Sequence, residues 1–150
     1  MNNFIDVEKE LTEDDLKLFE KNFDVTIPQS IKNHYLKYNG GYPENTVFYS
    51  ADDDREYVIN YFFSIGGYGG MNIEKTLTLL RDENVFPKWL IPFADDIGGD
   101  IFAYSLRNGE EGSIYYYSHE FDYGENPEEH VTKLADNIEA FLEVLLPEEE

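Results

Sequence analysis

Residues 46–65 and 101–118 share one pattern: short runs rich in aromatic and β-branched residues, separated by acidic or Gly-containing turns. Thr46-Val-Phe-Tyr-Ser50 precedes Glu56-Tyr-Val-Ile-Asn-Tyr-Phe-Phe-Ser-Ile65 across Asp52-Asp53-Asp54, which predicts a hairpin. Ile101 to Leu106 and Ser113 to Ser118 predict a second hairpin, joined by Arg-Asn-Gly-Glu-Glu-Gly. A strand of this composition must bury a face against neighbours, so the middle of the chain is committed to a sheet.

Helical spacing brackets that sheet. Leu11-Thr-Glu-Asp-Asp-Leu16 reads as a helix start, with Thr12 as cap, Asp15 at the capping-box position and Leu11 stapled to Leu16. Leu16, Phe19 and Phe23 then recur at helical intervals. In the next segment Pro28 suits a first helical position, Ile31, Tyr35 and Tyr38 form a stripe, and Gly40 supplies a stop. Asn72 caps a third helix carrying Ile73, Leu77 and Leu80. Asp136 and Glu139 offer a capping box for a last one, starting near Asn137 and carrying Ile138, Phe141, Leu142 and Leu145. Residues 130–135 are read as extended, although Val131 and Leu134 also fit a longer helix. Helices at both ends with strands between them predict an α+β fold: an N-terminal helix pair, a central, mainly antiparallel twisted sheet and a C-terminal helix packed on it. A length of 150 residues suits one domain over 1–150, with residues 147–150 as a frayed tail.

The segment Ile91-Pro-Phe-Ala-Asp-Asp-Ile-Gly-Gly-Asp-Ile-Phe-Ala-Tyr-Ser-Leu106 decides how much chemistry to expect. Asp95, Asp96 and Asp100 do not keep the spacing of a calcium loop. A pair of catalytic carboxylates needs fixed separation and one raised pKa, whereas adjacent strand residues point to opposite faces. Gly98 and Gly99 offer the positive φ that a tight connection demands. A turn is the reading these residues favour over a metal site or a catalytic pair. His119-Glu-Phe-Asp-Tyr123 starts like a zinc-protease motif but has Tyr123 where the second His belongs. Gly66-Gly-Tyr-Gly-Gly70 lacks the Lys and Ser/Thr of a phosphate loop. With no cysteine, thiolate catalysis and Cys-based zinc sites are excluded. No catalytic residue, cofactor or metal is expected.

Charge carries the remaining signal. Thirty-two acids against 11 bases give a formal net charge of −21, a field that repels nucleic acid and anionic membranes and draws in basic partners. Tyr115-Tyr116-Tyr117 therefore makes a poor base-stacking platform, and its tyrosines are expected to divide between core and exposed face. Acidic turns beside aromatic residues fit a protein-binding patch. For that patch we select Asp52, Asp53, Asp54, Asp95, Asp96, Asp122 and Glu125 for steering, and Tyr42, Tyr68 and Tyr123 as anchors. The opening residues lack the basic and apolar regions of a secretory signal and no apolar run has membrane-spanning length, so a cytoplasmic protein is expected.

Four segments, in order, resemble the SUKH superfamily, whose bacterial members are mostly immunity proteins of polymorphic toxin systems. Phe19 to Pro43, ending Tyr38-Asn-Gly-Gly-Tyr-Pro43, is similar to its amino-terminal signature. Phe86 to Leu106 is similar to its central one, Gly112 to Glu120 to its closing strand, and Leu134 to Leu145 to its final helix. The resemblance implies a non-catalytic α+β protein that binds a cognate toxin domain, often a nuclease; with the acidic charge, the expected partner is a basic toxin domain encoded by a neighbouring gene. Gly98, Gly99, Asp100 and Glu120 match recurring positions for which a structural role is expected. A non-catalytic adaptor or regulatory binding protein is the alternative the resemblance leaves open, and a small carboxylate-based hydrolase is the competing enzyme class.

Overall fold

Thr12 and Asp15 open the first helix by satisfying its free amides. The Asp15 amide donates to the Thr12 hydroxyl (3.3 Å), and the Asp15 carboxylate accepts from the Thr12 amide (2.8 Å). In the computed structural model, which describes residues 3–67, 72–83, 86–118 and 130–148, a short strand β1 (Phe4–Ile5) precedes this helix, α1 (Glu13–Phe23). Its Leu16 and Phe19 are buried. Then follow α2 (Gln29–Lys37), β2 (Tyr42–Pro43), β3 (Val47–Ser50), β4 (Arg55–Phe62), α3 (Ile73–Glu83), β5 (Leu90–Asp96), β6 (Ile101–Ser105), β7 (Ile114–Tyr117), β8 (Val131–Ala135) and α4 (Ile138–Glu143). The architecture is α+β.

The sheet is a meander. Its six strands lie in the order β3-β4-β5-β6-β7-β8, every neighbour antiparallel, and β1 pairs separately with β2. Both predicted hairpins form, as do the caps at Asn72 and the extended stretch before α4. Register shifts in β4, β5 and β7 mark irregularities of the kind that bend a sheet. The bend is large: the rings of Tyr57 in β4 and Tyr116 in β7 meet at 4.7 Å, whereas three strand spacings in a flat sheet cover about 14 Å.

The concave face carries a chain of aromatic rings. Phe62, Phe93 and Phe141 follow one another at 5.1 and 6.4 Å, and Phe141 stacks on Phe48 at 5.2 Å, so α4 closes over the strands. Behind the sheet, Trp89 packs on Tyr115 and Phe86 on Tyr117, both at 5.0 Å, and α3 lies against β5.

Several local expectations are corrected. Tyr115, Tyr116 and Tyr117 do not divide between core and solvent; all three are buried, because the segment from Phe86 to Trp89 covers the second face. Pro28 is the cap of α2, not its first helical residue, and Tyr38 has already left the helix at an extended φ of −136°. β4 stops at Phe62 and does not continue to Ile65. α4 is capped by the Asn137 side chain, which accepts from the Ala140 amide at 2.8 Å, and not by Asp136. Of the glycine pair in the β5–β6 turn, Gly99 alone has positive φ, +91°.

Candidate functional site

A meander alternates its turns between two ends, so the β3–β4 and β5–β6 turns share one end and the β6–β7 turn lies at the other. That topology gathers Asp52, Asp53 and Asp54 at the end that also holds Asp95, Asp96 and Asp100. Glu110, at the opposite end, is neutralised locally. It accepts from Arg107 at 2.7 Å and from the Tyr115 hydroxyl at 2.9 Å, and Lys133 stands 3.7 Å away. The ion pairs Lys32–Glu20, Arg107–Glu110, Lys133–Glu110 and Lys133–Asp136 all lie away from Asp52, Asp53, Asp54, Asp95 and Asp96.

Alternation sends Asp95 and Asp96 to opposite faces. Asp96 points into the concave side. One of its oxygens accepts from the Gly98 and Asp100 amides, both at 2.9 Å, which closes the turn. Its other oxygen and a carboxylate oxygen of Asp100 each lie 2.6 Å from the Tyr116 hydroxyl. One phenolic proton serves two acceptors. Burial first, then those two carboxylates, raise the Tyr116 phenol far above its ordinary range.

Arg55 covers this cluster from the first residue of β4. Its guanidinium lies 4.6 Å from the centre of the Tyr57 ring and 5.1 Å from that of Tyr116. Asp53 accepts from Ser50 and from the Tyr57 hydroxyl, which hold its carboxyl below the usual range. Burial, followed by Asp53, pushes Tyr57 up to about 12. Tyr49 donates to Asp54 at 2.8 Å, and Asp54 adopts a left-handed φ of 47° in the turn.

Asp95 faces the other way, accepting from the Asn60 amide at 3.2 Å. Burial raises its carboxyl above the ordinary value and Asp96 adds to the rise, against the hydrogen bond from Asn60. Beside it Tyr61 meets Tyr42 ring to ring at 4.8 Å. The structure therefore brings Tyr42 and Asp95 to one surface, and Asp53 and Asp96 to another around Tyr57 and Tyr116, while Asp54 is held by Tyr49. Asp52 is exposed at the turn. Asp122, Glu125, Tyr68 and Tyr123 lie outside the described residues.

No set of three His, Asp or Glu side chains among the described residues is grouped as metal ligands. A cleft of about 500 Å³ lies elsewhere, between α2 and α4, lined by Ser30, Asn33, Lys37, Glu139 and Leu142. Its mixed charge gives it no share in the acidic end.

The profile of the SMI1 / KNR4 family (SUKH-1) matches residues 10–144. The chain belongs to that family. No curated protein matches it.

Within this SUKH-1 chain the signature residues have structural jobs. The Asn39 side chain accepts from the Ile65 amide at 2.7 Å and donates to the carbonyls of Ile65 (3.0 Å) and Lys9 (2.8 Å). Gly40 and Gly41 then let the chain press on its neighbours. A Cβ on Gly40 would stand 3.0 Å from the Phe62 carbonyl oxygen, and one on Gly41 only 2.6 Å from that of Ile5. Gly99 and Asp100 complete the β5–β6 turn, and Asp100 is itself buried.

Sequence reasoning missed Arg55, Tyr57, Tyr61 and Tyr116 as members of this end. Alternation from Ile59 puts Tyr57 on the concave face. Its meeting with Tyr116 depends on sheet curvature, which no local pattern encodes.

Proposed function

We propose that this SUKH-1 protein is an immunity protein, which binds a basic toxin domain encoded by a neighbouring gene and blocks it without performing chemistry. A nuclease domain is the class of toxin whose cationic cleft such a surface fits. One observation carries the reading: in a chain of net charge −21, two acidic turns distant in sequence occupy one end of the sheet. Asp52, Asp53, Asp54, Asp95 and Asp96 steer the encounter from there, with Asp122 and Glu125 adding to the same field. Such steering speeds association and fades with added salt. Tyr42, Tyr68 and Tyr123 act as aromatic anchors, since a few buried aromatic contacts dominate binding energy at protein interfaces.

The residues that hold the acidic end together support binding over turnover. Asp53, Asp54, Asp96 and Asp100 each accept from a neighbouring Tyr hydroxyl, and Arg55 lies over two of those rings.

The test is co-expression with the C-terminal toxin domain encoded beside this gene. Cells carrying the wild-type protein survive, and charge reversal at Asp52, Asp53 and Asp54 together with Asp95 abolishes survival. Survival unchanged by that reversal removes the acidic turns from the function. Toxicity undiminished by the wild-type protein removes the immunity reading.

A further inference from the structure

The small sheet β1–β2 has two unlike faces. Phe4 is paired with Pro43 and Ile5 with Tyr42. Phe4 turns inward, stacked on Tyr38 and edge-on to Phe62, both at 4.9 Å. Alternation then sends Ile5 and Tyr42 outward as a directly opposed pair, 64% and 43% exposed. Val7, also 43% exposed, joins them, because its Cγ1 lies 3.0 Å from the position a Gly41 Cβ would take. The Tyr42 ring extends the group to Tyr61. Ile5, Val7 and Tyr42, with the half-buried Tyr61 beside them, thus stay at the surface, although burial of a large apolar side chain contributes roughly 1.5–3 kcal/mol to folding.

Carboxylates edge this group. Asp6 stands between Ile5 and Val7 in the chain, Glu8 follows Val7, and Asp95 is the cross-strand partner of Tyr61; burial first, and then these charges and Tyr42, raise the Tyr61 phenol. An apolar and aromatic centre inside a charged rim is the anatomy of a protein interface. The segment is also held in place. Asp6 takes a left-handed φ of 55°, the Glu8 amide donates to the Asn39 carbonyl at 2.9 Å, and the Asn39 side chain grips the Lys9 carbonyl. A surface fixed in advance loses little entropy on binding.

We infer that the outer face of the β1–β2 sheet, centred on Ile5 and Tyr42, docks a cationic protein segment in which Lys or Arg alternate with apolar side chains. The sign of the rim selects that occupant. A second copy of this chain would set Asp6, Glu8 and Asp95 against their own kind, between two molecules each of net charge −21. The inference adds a contact surface to the proposed immunity role, and rests on that role only for the partner's identity.

The experiment titrates the isotope-labelled full chain with a short peptide of alternating Leu and Arg, followed by backbone amide shifts. Two control peptides replace every Leu by Ser or every Arg by Glu. Saturable shifts are expected at Ile5, Val7, Tyr42 and Tyr61, with binding at least about tenfold weaker for either control and for the Ile5→Ser/Tyr42→Ser double variant. Absence of saturable shifts, shifts confined to the Asp52–Asp54 and Asp96–Asp100 turns, or equal binding of a control overturns the inference. So does a dimer in sedimentation that buries these same amides. The two readings separate cleanly. Peptide binding at this face with no protection from the toxin domain leaves the surface and removes the immunity role. Full protection by a wild-type chain that shows no saturable peptide shifts does the reverse.

Discussion

Tyr57 and Tyr116 touch ring to ring at 4.7 Å, although β5 and β6 stand between their strands. The contact ties the second strand of the sheet to the fifth. It also places the Tyr116 hydroxyl where Asp96 and Asp100 converge.

Tyr116→Phe keeps the ring and removes a donor that those two carboxylates share. We expect a loss of about 1–3 kcal/mol in urea unfolding at neutral pH. Urea unfolding curves of the two proteins at neutral pH check the statement, and equal stability contradicts it.

His34 gives the protein an acid-sensitive limb. It is packed among Phe4, Tyr35, Tyr38 and Phe62, and its Nε2 finds no hydrogen-bond partner among the described residues. Burial, and to a lesser degree Lys37, lowers its pKa from 6.5 to about 4. The unfolded chain gains this proton at higher pH than the folded one. The neutral imidazole's contribution is therefore present above pH 6.5 and is lost as pH falls from 6.5 to about 4. The loss integrates to about 3 kcal/mol. His34→Phe should flatten that part of the stability profile, measured by denaturation across the window.

Gly41→Ala forces a methyl group toward the Ile5 carbonyl at a φ of +100°. We expect roughly 2 kcal/mol or more of destabilisation, with faster amide exchange at Glu44, whose amide donates to Asn3 across β1 and β2. Gly109→Ala is the control. It also has positive φ, +84°, but open space around the new methyl, so it should cost only about 1–2 kcal/mol.

Asn39→Ala strands an amide and two carbonyls in a buried site. A loss of about 3 kcal/mol is expected in thermal or urea unfolding. Asn39→Asp should not restore stability, because a carboxylate keeps the acceptor for Ile65 but presents oxygen to two carbonyls.

Local chemistry was legible in the sequence wherever a few neighbouring residues settle the matter. Thr12 and Asp15 announce the start of α1, Asn72 that of α3, and the Asp52–Asp54 cluster the tip of a hairpin, because each acts within three or four positions of itself. The opposed directions of Asp95 and Asp96 follow from strand alternation alone. Tyr115 to Tyr117 defeated the same rule, since alternation states which face a residue takes and not whether that face is covered. The cover comes from Phe86 and Trp89, on a different segment. The pairing of Ile5 with Tyr42 was equally hidden. Two-residue strands are too short to show a period, and α1 and α2 separate them in the chain.

The candidate site was half legible for the same reason. That two acidic turns share an end follows from a meander, once the hairpins are assigned. That Arg55 lies across rings from β4 and β7 follows only from the curl of the sheet.

Arg55 spans side chains that belong to strands far apart in the ladder, so the acidic rim is cross-braced independently of its own hydrogen bonds. Bending the β3–β4 hairpin outward would have to pull both the Arg55 cation and the Tyr57 ring off Tyr116. Stiffness at this edge is thus a collective property, and a change in any one turn can recolour the rim without slackening it.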